Sequence, residues 1–372
     1  MRHRFLVVLA FLLVVGHGAP GQDPDVIDGP HVIWESEKYA MVWRVQQGKA
    51  VHVPIKFERG WKLDVPALGA GGVTLAPEPP MVEPDQFDDV TDIFIVGDSH
   101  GQFMVFADVL RYGDVVDEDL HWSFGEGHLV IVGDVFDRGD RVTDILWLIY
   151  RLEQEAKAQG GFVHFILGNH EVMPLQGDVR YVNPIYLETV APLMSRSYSQ
   201  LFGPDTELGQ WLRTKHVAIR INDLLFAHGG LSSTLIEKGW DLDFINSSIR
   251  ANLDTPKVEI RADEDMKLLF GSEGPLWYRG YFIDWSHYQR TTPERIRTTL
   301  DHFGGNHVIV AHTGATEIHS LYEGMVINVH VRMKPRGVAE ALQWKDGEFE
   351  RVIVGVTRAA LDLTNEQWKS ED

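Results

Sequence analysis

Three short segments of the chain combine glycine with carboxylate, amide and imidazole side chains. The segments are Gly97-Asp98-Ser99-His100-Gly101, Gly133-Asp134 and Gly168-Asn169-His170. Any one of them could be an ordinary turn or helix cap, but three in one chain indicate that their side chains converge. Oxygen and imidazole ligands, in a chain without cysteine, favour hard or borderline cations such as Mn, Fe or Zn. If two cations share the site, one carboxylate must bridge them, and Asp134 in the central segment is the natural candidate.

Short apolar strands must position these side chains. Strands are predicted at Ile93–Val96, Leu129–Val132 and Val163–Leu167, each leading into one of the segments. Helices are predicted at Phe103–Tyr112 and Val142–Ala158, after the first two strands. Buried strands that alternate with helices predict a sheet with helices on its faces, and ligands of such folds lie beyond the carboxyl ends of the strands. All three segments fall there.

Further strands are predicted downstream, and two of them lead into histidines. The predicted strands are His216–Ile221, Leu224–Ala227, Val308–Ala311, Ala339–Trp344 and Phe349–Val354. The second leads into His228 and the third into His312, and Asp346-Gly347 between the last two is a hairpin signal. Residues 172–215 and 232–300 are interpreted as helical and loop insertions.

Taken in order, these segments resemble the signature motifs of the calcineurin-like metallophosphoesterases. Asp137-Arg138-Gly139 and Asn169-His170-Glu171 are similar to the forms of the phosphoprotein phosphatase branch. His228-Gly229-Gly230 and Ala311-His312-Thr313 resemble its later histidine motifs. The runs from Glu171 to Tyr181 and from Pro275 to Arg279 resemble the Shewanella-like protein phosphatases. The resemblance covers about residues 92–330.

The resemblance implies two metal ions and a set of catalytic side chains. The implied ligands are Asp98, His100 and Asp134 for a first ion, and Asp134, Asn169, His228 and His312 for a second. His170 would protonate the leaving oxygen, with Asp137 orienting its ring and keeping it cationic. Arg138 and Arg279 would hold phosphate oxygens.

Several of these residues also have a simpler structural interpretation. Asp137 and Arg138 could form an internal salt bridge, and the two later histidines could be satisfied core residues. Arg279 could stack on a neighbouring aromatic ring. Glu171 is expected to support the backbone and is not included in the site, and Arg180 could either grip substrate or make a structural pair.

Two positions depart from the family pattern. Ala311 stands where many relatives have glycine, and Asn328-Val329-His330 stands where relatives commonly show Asp-x-Gly. Neither position is expected to supply a metal ligand. The departures bear on the shape and support of the pocket.

The resemblance implies an α/β fold, a metallophosphoesterase two-sheet β-sandwich flanked by helices in four layers (αββα). It implies a phosphatase that hydrolyses phosphomonoesters by direct attack of a hydroxide bridging the metals, with phosphotyrosine and phosphoserine or phosphothreonine both open as substrates. A dinucleoside polyphosphate or small phosphate-ester hydrolase is the alternative, because that sister group shares the motifs. A binding protein without activity is disfavoured, since no predicted ligand is missing.

Composition limits the partners. The chain has 372 residues and a formal net charge of −20, which argues against nucleic-acid binding and requires a phosphate site to supply its own positive charge. Nothing in the sequence indicates an obligate partner.

The N-terminal residues predict export. Arg2, His3 and Arg4 precede the apolar run Phe5–Val15, which is typical of a secretory signal over residues 1–21. The run is shorter than the roughly 20 residues that span a bilayer, although an uncleaved anchor or a buried helix is an alternative. Residues 22–90 are predicted as an N-terminal β extension and linker, with a meander at 31–58. Residues 91–361 are predicted as the catalytic domain, and 362–372 as a tail.

Overall fold

The computed structural model describes residues 26–58, 60–69, 71–75, 80–283, 288–334 and 337–364. The predicted signal at 1–21 lies outside the described residues, as does all but the first part of the predicted tail. No described helix is long and apolar enough to cross a membrane.

The described residues form strands and mostly short helices. The strands are β1 Asp28–Ser36, β2 Tyr39–Gln46, β3 Lys49–Lys56, β4 Lys62–Leu63, β5 Val73–Thr74, β6 Gln86–Phe87, β7 Asp92–Val96, β8 His128–Ile131, β9 Phe162–Phe165, β10 Ala218–Ile221, β11 Leu224–Ala227, β12 His307–Val310, β13 His319–Leu321, β14 Val326–Asn328, β15 Glu340–Lys345, β16 Glu348–Ile353 and β17 Thr357–Ala360. The helices are α1 Phe103–Tyr112, α2 Val142–Ala158, α3 Asn169–Leu175, α4 Ala191–Leu193, α5 Tyr198–Leu201, α6 Glu207–Leu212, α7 Ser233–Glu237, α8 Leu242–Ala251, α9 Lys257–Ile260, α10 Glu264–Leu269 and α11 Pro293–Phe303. A 3₁₀ turn spans Pro66–Leu68 and a π-helical turn spans Tyr186–Val190.

Two six-stranded sheets form the centre of the fold. The first has the order β17-β16-β15-β7-β8-β9, and the second has the order β13-β14-β12-β11-β10-β6. In the first sheet β7, β8 and β9 are parallel with β8 in the middle, and in the second β11, β12 and β14 are parallel. Asp134 therefore follows the central strand of its trio, as the sequence predicts.

Alternate residues of these strands fill two different cores. Ile93, Ile95 and Val130 of the first sheet pack with Phe226 and Ile309 of the second in one cluster between the sheets. The neighbouring residues on the same strands point to the other face of each sheet. There they pack in a second cluster with the buried residues of the helices, and this cluster includes Phe94, Leu129, Leu225 and Val308. Because successive side chains of a strand point to opposite faces, each sheet is covered on both sides. This is the predicted four-layer αββα arrangement.

The predicted N-terminal meander is confirmed as the three-stranded sheet β1-β2-β3. It packs on the helices of the first layer, because Trp147 of α2 donates from Nε1 to the Pro30 carbonyl (2.8 Å) and Trp34 donates to Glu207 of α6 (2.7 Å). The part of the predicted extension and linker that follows the meander carries more structure than a linker would. Leu63 and Val73 of its two short strands are fully buried, and β6 adds an edge to the second sheet.

Candidate active site

The polar segments meet at one edge of the sandwich, beyond the carboxyl ends of β7, β8, β9, β11 and β12. The first three strands belong to one sheet and the last two to the other. All six predicted metal ligands are buried, with Asp98, Asp134 and Asn169 each 2% exposed or less. A hydrogen bond from the His312 backbone N–H to Asp98 Oδ1 (3.4 Å) joins the two sheets at this edge.

His100 presents one ring nitrogen to the two aspartates. Its Nδ1 donates to the Phe136 carbonyl (2.8 Å), which leaves Nε2 free as an acceptor. That Nε2 lies 3.7 Å from Asp98 Oδ2 and 3.9 Å from Asp134 Oδ2. Burial lowers the pKa of His100 to about 4, so the imidazole is neutral, as a metal ligand must be.

His228 is oriented in the same way from the second sheet. Its Nδ1 donates to the Val132 carbonyl (2.7 Å), and its Nε2 lies 3.2 Å from Asp134 Oδ1 and 3.1 Å from Asn169 Oδ1. The His312 ring is 5.0 Å from that of His228, centroid to centroid. A carbonyl acceptor that fixes the tautomer is the usual support of a metal-binding histidine.

Several polar atoms at this edge of the sandwich are suited to bind metal ions. Asp98 Oδ2, His100 Nε2 and His312 Nε2 are buried without a hydrogen-bond partner among the described residues. Buried polar atoms left unpaired cost about 1–3 kcal/mol each, so three in one place need a common ligand. Two groups of candidate ligand atoms, one with His100 and one with His228 and His312, share Asp134. That sharing is what a bridging carboxylate requires.

His170 also falls in the group with His100, but its own contacts set it apart from the ligands. Its Nδ1 is 2.7 Å from Asp137 Oδ2, and its Nε2 is 3.8 Å from Asp134 Oδ2. Burial by itself would lower the pKa of His170, but the carboxylates of Asp134 and Asp137 outweigh it and raise the pKa. With Nδ1 held by Asp137, His170 keeps Nε2 as the ring nitrogen that can donate a proton.

The backbone of the site is held in an uncommon conformation. Positive φ angles occur at His100 (43°), Asp134 (55°), Asp137 (69°), Arg138 (63°) and His312 (62°). Non-glycine residues reach this region only when their surroundings enforce it, and such residues cluster at functional sites. Five residues at or beside the predicted ligands share this conformation, which also occurs at other positions of the described chain.

Glu171 holds the backbone around Asp134 in place. Its buried carboxylate accepts backbone N–H groups from Gly168 (2.6 Å), Asp134 (2.9 Å), Val135 (2.7 Å) and Phe136 (3.1 Å). A side chain at Gly168 would place its Cβ 2.3 Å from Asp134 Oδ1, so only glycine allows this approach. The expectation that Glu171 supports the backbone agrees with these contacts.

The two arginines approach the site from different segments. Arg138 is exposed, and its guanidinium makes no hydrogen bond or ion pair among the described residues. The alternative in which Arg138 forms a salt bridge with Asp137 is therefore wrong. Arg279 is half-buried and donates to Thr313 Oγ1 (3.3 Å), next to His312. Burial is the main cause that lowers the pKa of His312 well below the ordinary value, and the positive charge of Arg279 is the next largest cause. Both guanidiniums are therefore available near the predicted ligands.

A cleft of about 450 Å³ opens beside the site. It reaches Asn169 and is walled by Met173, Phe270 and Trp277, and its cations are Arg180, Lys257, Arg261 and Lys267. Arg180 makes the structural pair considered from the sequence, because it binds Asp178 through Nε at 2.9 Å, and Lys257 binds the same carboxylate. Lys267 lies 3.4 Å from Glu264, while Arg261 has no ion-pair partner in the described part of the chain.

Sequence reasoning missed one side chain at this edge. His330 Nδ1 lies 2.9 Å from Asp98 Oδ2, and His330 is 4% exposed. The available signal was its position two residues beyond the end of β14, at the carboxyl end of a parallel strand, as for the other site residues.

The chain is similar to known proteins both in sequence and in fold. The sequence model of the calcineurin-like phosphoesterases matches residues 91–315. A crystal structure of the cold-active protein-tyrosine phosphatase of a psychrophile, Shewanella sp., has a TM-score of 0.83 and 36% identity, over 91% of this chain and 100% of that chain.

Two curated relatives are more distant. Shewanella-like protein phosphatase 1 of Plasmodium berghei is 28% identical over 222 residues, which is 59% of this chain and 60% of the relative. Shewanella-like protein phosphatase 2 of Arabidopsis thaliana is 27% identical over 206 residues, 44% of this chain and 52% of the relative. The chain thus matches only about half to three fifths of the length of these relatives.

Proposed function

We propose that this chain, which belongs to the calcineurin-like phosphoesterase family, is a dinuclear metal-dependent protein phosphatase that acts on phosphotyrosine. The observation that carries the proposal is the set of unpartnered ligand atoms around Asp134, beside His170, whose ring is held by Asp137. The similarity to a protein-tyrosine phosphatase over that protein's full length supports the choice of substrate.

The metal ligands we propose are those of the sequence prediction. Asp98, His100 and Asp134 would hold the first ion, and Asp134, Asn169, His228 and His312 the second. Bound cations in such a pair activate water for attack and neutralise the phosphate oxygens. The mixed oxygen and imidazole donors favour Mn, Fe or Zn over Mg or Ca.

The remaining residues act on the substrate itself. His170 would donate the proton of its Nε2 to the leaving oxygen, and Asp137 would keep that ring oriented and charged. Arg138 and Arg279 would each donate to phosphate oxygens. Together they provide the positive charge that an anionic substrate requires in a chain with a net charge of −20.

The cleft beside the site supports a peptide substrate. Its walls of Met173, Phe270 and Trp277 suit the ring of a phosphotyrosine, and its volume exceeds that of one side chain. Its four cations exceed the two carboxylates that pair with them, Asp178 and Glu264, so it favours acidic residues next to the phosphorylated one. An aromatic, cationic cleft also suits a nucleotide, so dinucleoside polyphosphates remain the second candidate substrate.

The test is hydrolysis by protein reconstituted with Mn, Fe or Zn, using one peptide sequence that carries phosphotyrosine, phosphoserine or phosphothreonine, and a dinucleoside polyphosphate. We expect the highest kcat/KM on the phosphotyrosine peptide and loss of activity in Asp134→Asn. A preference for the dinucleoside polyphosphate would select the second candidate. Two bound metals without turnover of any substrate would contradict the phosphatase assignment.

We also propose that the protein is exported, on the strength of the basic and apolar residues at its N-terminus. The measurement is cell fractionation with N-terminal sequencing of the mature protein. Recovery of full-length protein from the cytosol would contradict export.

A further inference from the structure

We propose that His330 is a ligand of the first metal ion, in addition to Asp98, His100 and Asp134. The inference rests on the proposed metal centre and adds to it a residue that the sequence did not assign. It concerns a position where this chain carries histidine in place of the family's usual residue.

The fold brings His330 to the site across the two sheets. His330 follows β14 of the second sheet, whereas Asp98 follows β7 of the first. The two strand ends touch at Gly97, where an added Cβ would lie 2.5 Å from the Val329 carbonyl oxygen and 3.4 Å from the His330 Cα. Glycine at position 97 thus allows the backbone before His330 to approach the backbone before Asp98.

Asn328 fixes the turn that carries the imidazole. Its Oδ1 accepts the His330 backbone N–H (3.0 Å), and its Nδ2 donates to the Thr313 carbonyl (2.8 Å). The Ala315 N–H donates to the His330 carbonyl (2.9 Å). Asn328 therefore ties His330 to the segment that carries His312, so the two unusual residues Asn328 and His330 belong to one local arrangement.

The contact between His330 and Asp98 has a length that suits two ligands of one ion. Nδ1 and Oδ2 are 2.9 Å apart, yet both atoms are buried and neither is aligned with a hydrogen-bond partner among the described residues. Adjacent ligands at the usual 2.0–2.2 Å from one cation are about 2.8–3.1 Å apart at a 90° angle and about 3.3–3.6 Å apart at the tetrahedral angle.

Convergence on a cation also accounts for the other atoms of this group. His100 Nε2 is likewise unpartnered, 3.7 Å from the same Asp98 Oδ2, and its ring lies 6.5 Å from that of His330. With His330 the first ion would have two carboxylates and two imidazoles from the protein. The second ion would have one carboxylate, one amide and two imidazoles, so both sites would have four protein ligands.

A cysteine placed at position 330 tests this assignment, because a thiolate that binds Co²⁺ can be detected by its absorption. The chain contains no cysteine of its own that would interfere. The variant is His330→Cys in the full chain. The longer metal–sulfur bond, about 2.3 Å against about 2.0–2.1 Å for nitrogen, partly compensates for the shorter side chain. The control is His319→Cys, because His319 is also buried, has an unpartnered Nε2, and pairs with Asn328 from the neighbouring strand.

We expect two Co²⁺ per chain in the wild type, measured by elemental analysis after dialysis. In His330→Cys we expect a thiolate-to-cobalt charge-transfer band in the near ultraviolet, and none in the control. In His330→Ala we expect the affinity for one of the two ions to fall at least about tenfold, with the folded far-ultraviolet spectrum retained.

A folded His330→Cys variant that binds two Co²⁺ without the band would overturn the assignment of His330 alone. Full affinity for both ions in His330→Ala would do the same. A wild type that binds no Co²⁺ would overturn the metal centre itself, and with it the proposed function.

Discussion

The imidazole of His170 and the carboxylate of Asp137 form a buried pair, with 2.7 Å between Nδ1 and Oδ2. The pair leaves Nε2 of His170 as the one ring nitrogen that faces the predicted metal ligands, 3.8 Å from Asp134 Oδ2. Asp134 further accepts the His170 backbone N–H (3.0 Å). The ring is therefore fixed at both its backbone and its Nδ1 side, which suits the transfer of a proton from a defined position.

This arrangement predicts that the effect of His170→Asn depends on the leaving group. General acid catalysis contributes about 10²–10⁴-fold for leaving oxygens that need a proton, and little for those that do not. We therefore expect a loss of that size in kcat on a phosphoserine peptide, a smaller loss on a phosphotyrosine peptide and the smallest on p-nitrophenyl phosphate. An equal loss on all three substrates would show that His170 has another role. Arg297→Asn, on the distant α11, is the control and should keep the wild-type rates.

The contacts of Glu171 predict that its substitution lowers the stability of the fold, whereas it has no direct role in the chemistry. Glu171→Gln replaces two acceptor oxygens, which receive four backbone N–H groups, with one acceptor and one donor. Because buried donors left unpaired cost about 1–3 kcal/mol each, we expect the free energy of unfolding to fall by about 3 kcal/mol or more. Urea unfolding of the metal-free protein measures this. Glu348→Gln, at an exposed position of β16, should change it by less than about 0.5 kcal/mol.

Local sequence signals predicted the parts of the site that single strands create. The apolar runs before Asp98, Asp134 and Asn169 end where the strands end, to within two residues. The helices α1 and α2 have the predicted bounds, and Asp346-Gly347 turns with positive φ at both residues (48° and 93°). These features depend on hydrophobic period and on turn chemistry, which neighbouring residues determine.

Contacts between distant segments were not predictable in the same way. His330 reaches Asp98 only because β14 and β7, in different sheets, end side by side. The segment 60–91 has no period of its own, yet Leu63 and Leu75 are fully buried against the rest of the molecule. In both cases the deciding interaction is with residues far away in the chain, and a single sequence contains no local signal for it.

The cationic cleft predicts a preference for acidic phosphopeptides. Arg261→Glu replaces the cation without an ion-pair partner in the described chain, and an exposed ion pair contributes up to about 1 kcal/mol. We expect the ratio of kcat/KM for an acidic over a neutral phosphotyrosine peptide to fall about fivefold or more, and the difference to shrink in high salt. The matched control is Arg297→Glu, which changes the net charge equally outside the cleft and should leave the ratio unchanged. An unchanged ratio in Arg261→Glu would show that the charge of the cleft does not contribute to the peptide specificity of the enzyme.

Two buried histidines on β8 and β9 give rise to a prediction about how the stability of the fold depends on pH. His164 of β9 and His128 of β8 are 2.9 Å apart, Nε2 to Nδ1. Burial lowers the pKa of His128 to about 4. Burial, followed by the charges of His128, His216 and Lys215, lowers that of His164 well below its ordinary value of 6.5. The unfolded chain therefore takes up these protons at a higher pH than the folded one, so stability falls as the pH drops below about 6.5.

Replacing both with glutamine, in His128→Gln/His164→Gln, removes the two protonation sites and keeps polar side chains. We expect the melting temperature of this variant to fall by a few degrees less than that of the wild type between about pH 7 and about pH 4.5. His52→Gln, a half-exposed position on the N-terminal sheet, should follow the wild-type profile. Parallel curves for the double variant and the wild type would mean that these histidines do not contribute to the acid sensitivity of the fold. A steeper wild-type curve would assign part of the acid sensitivity of the fold to the histidines of β8 and β9, the strands that lead into Asp134 and Asn169.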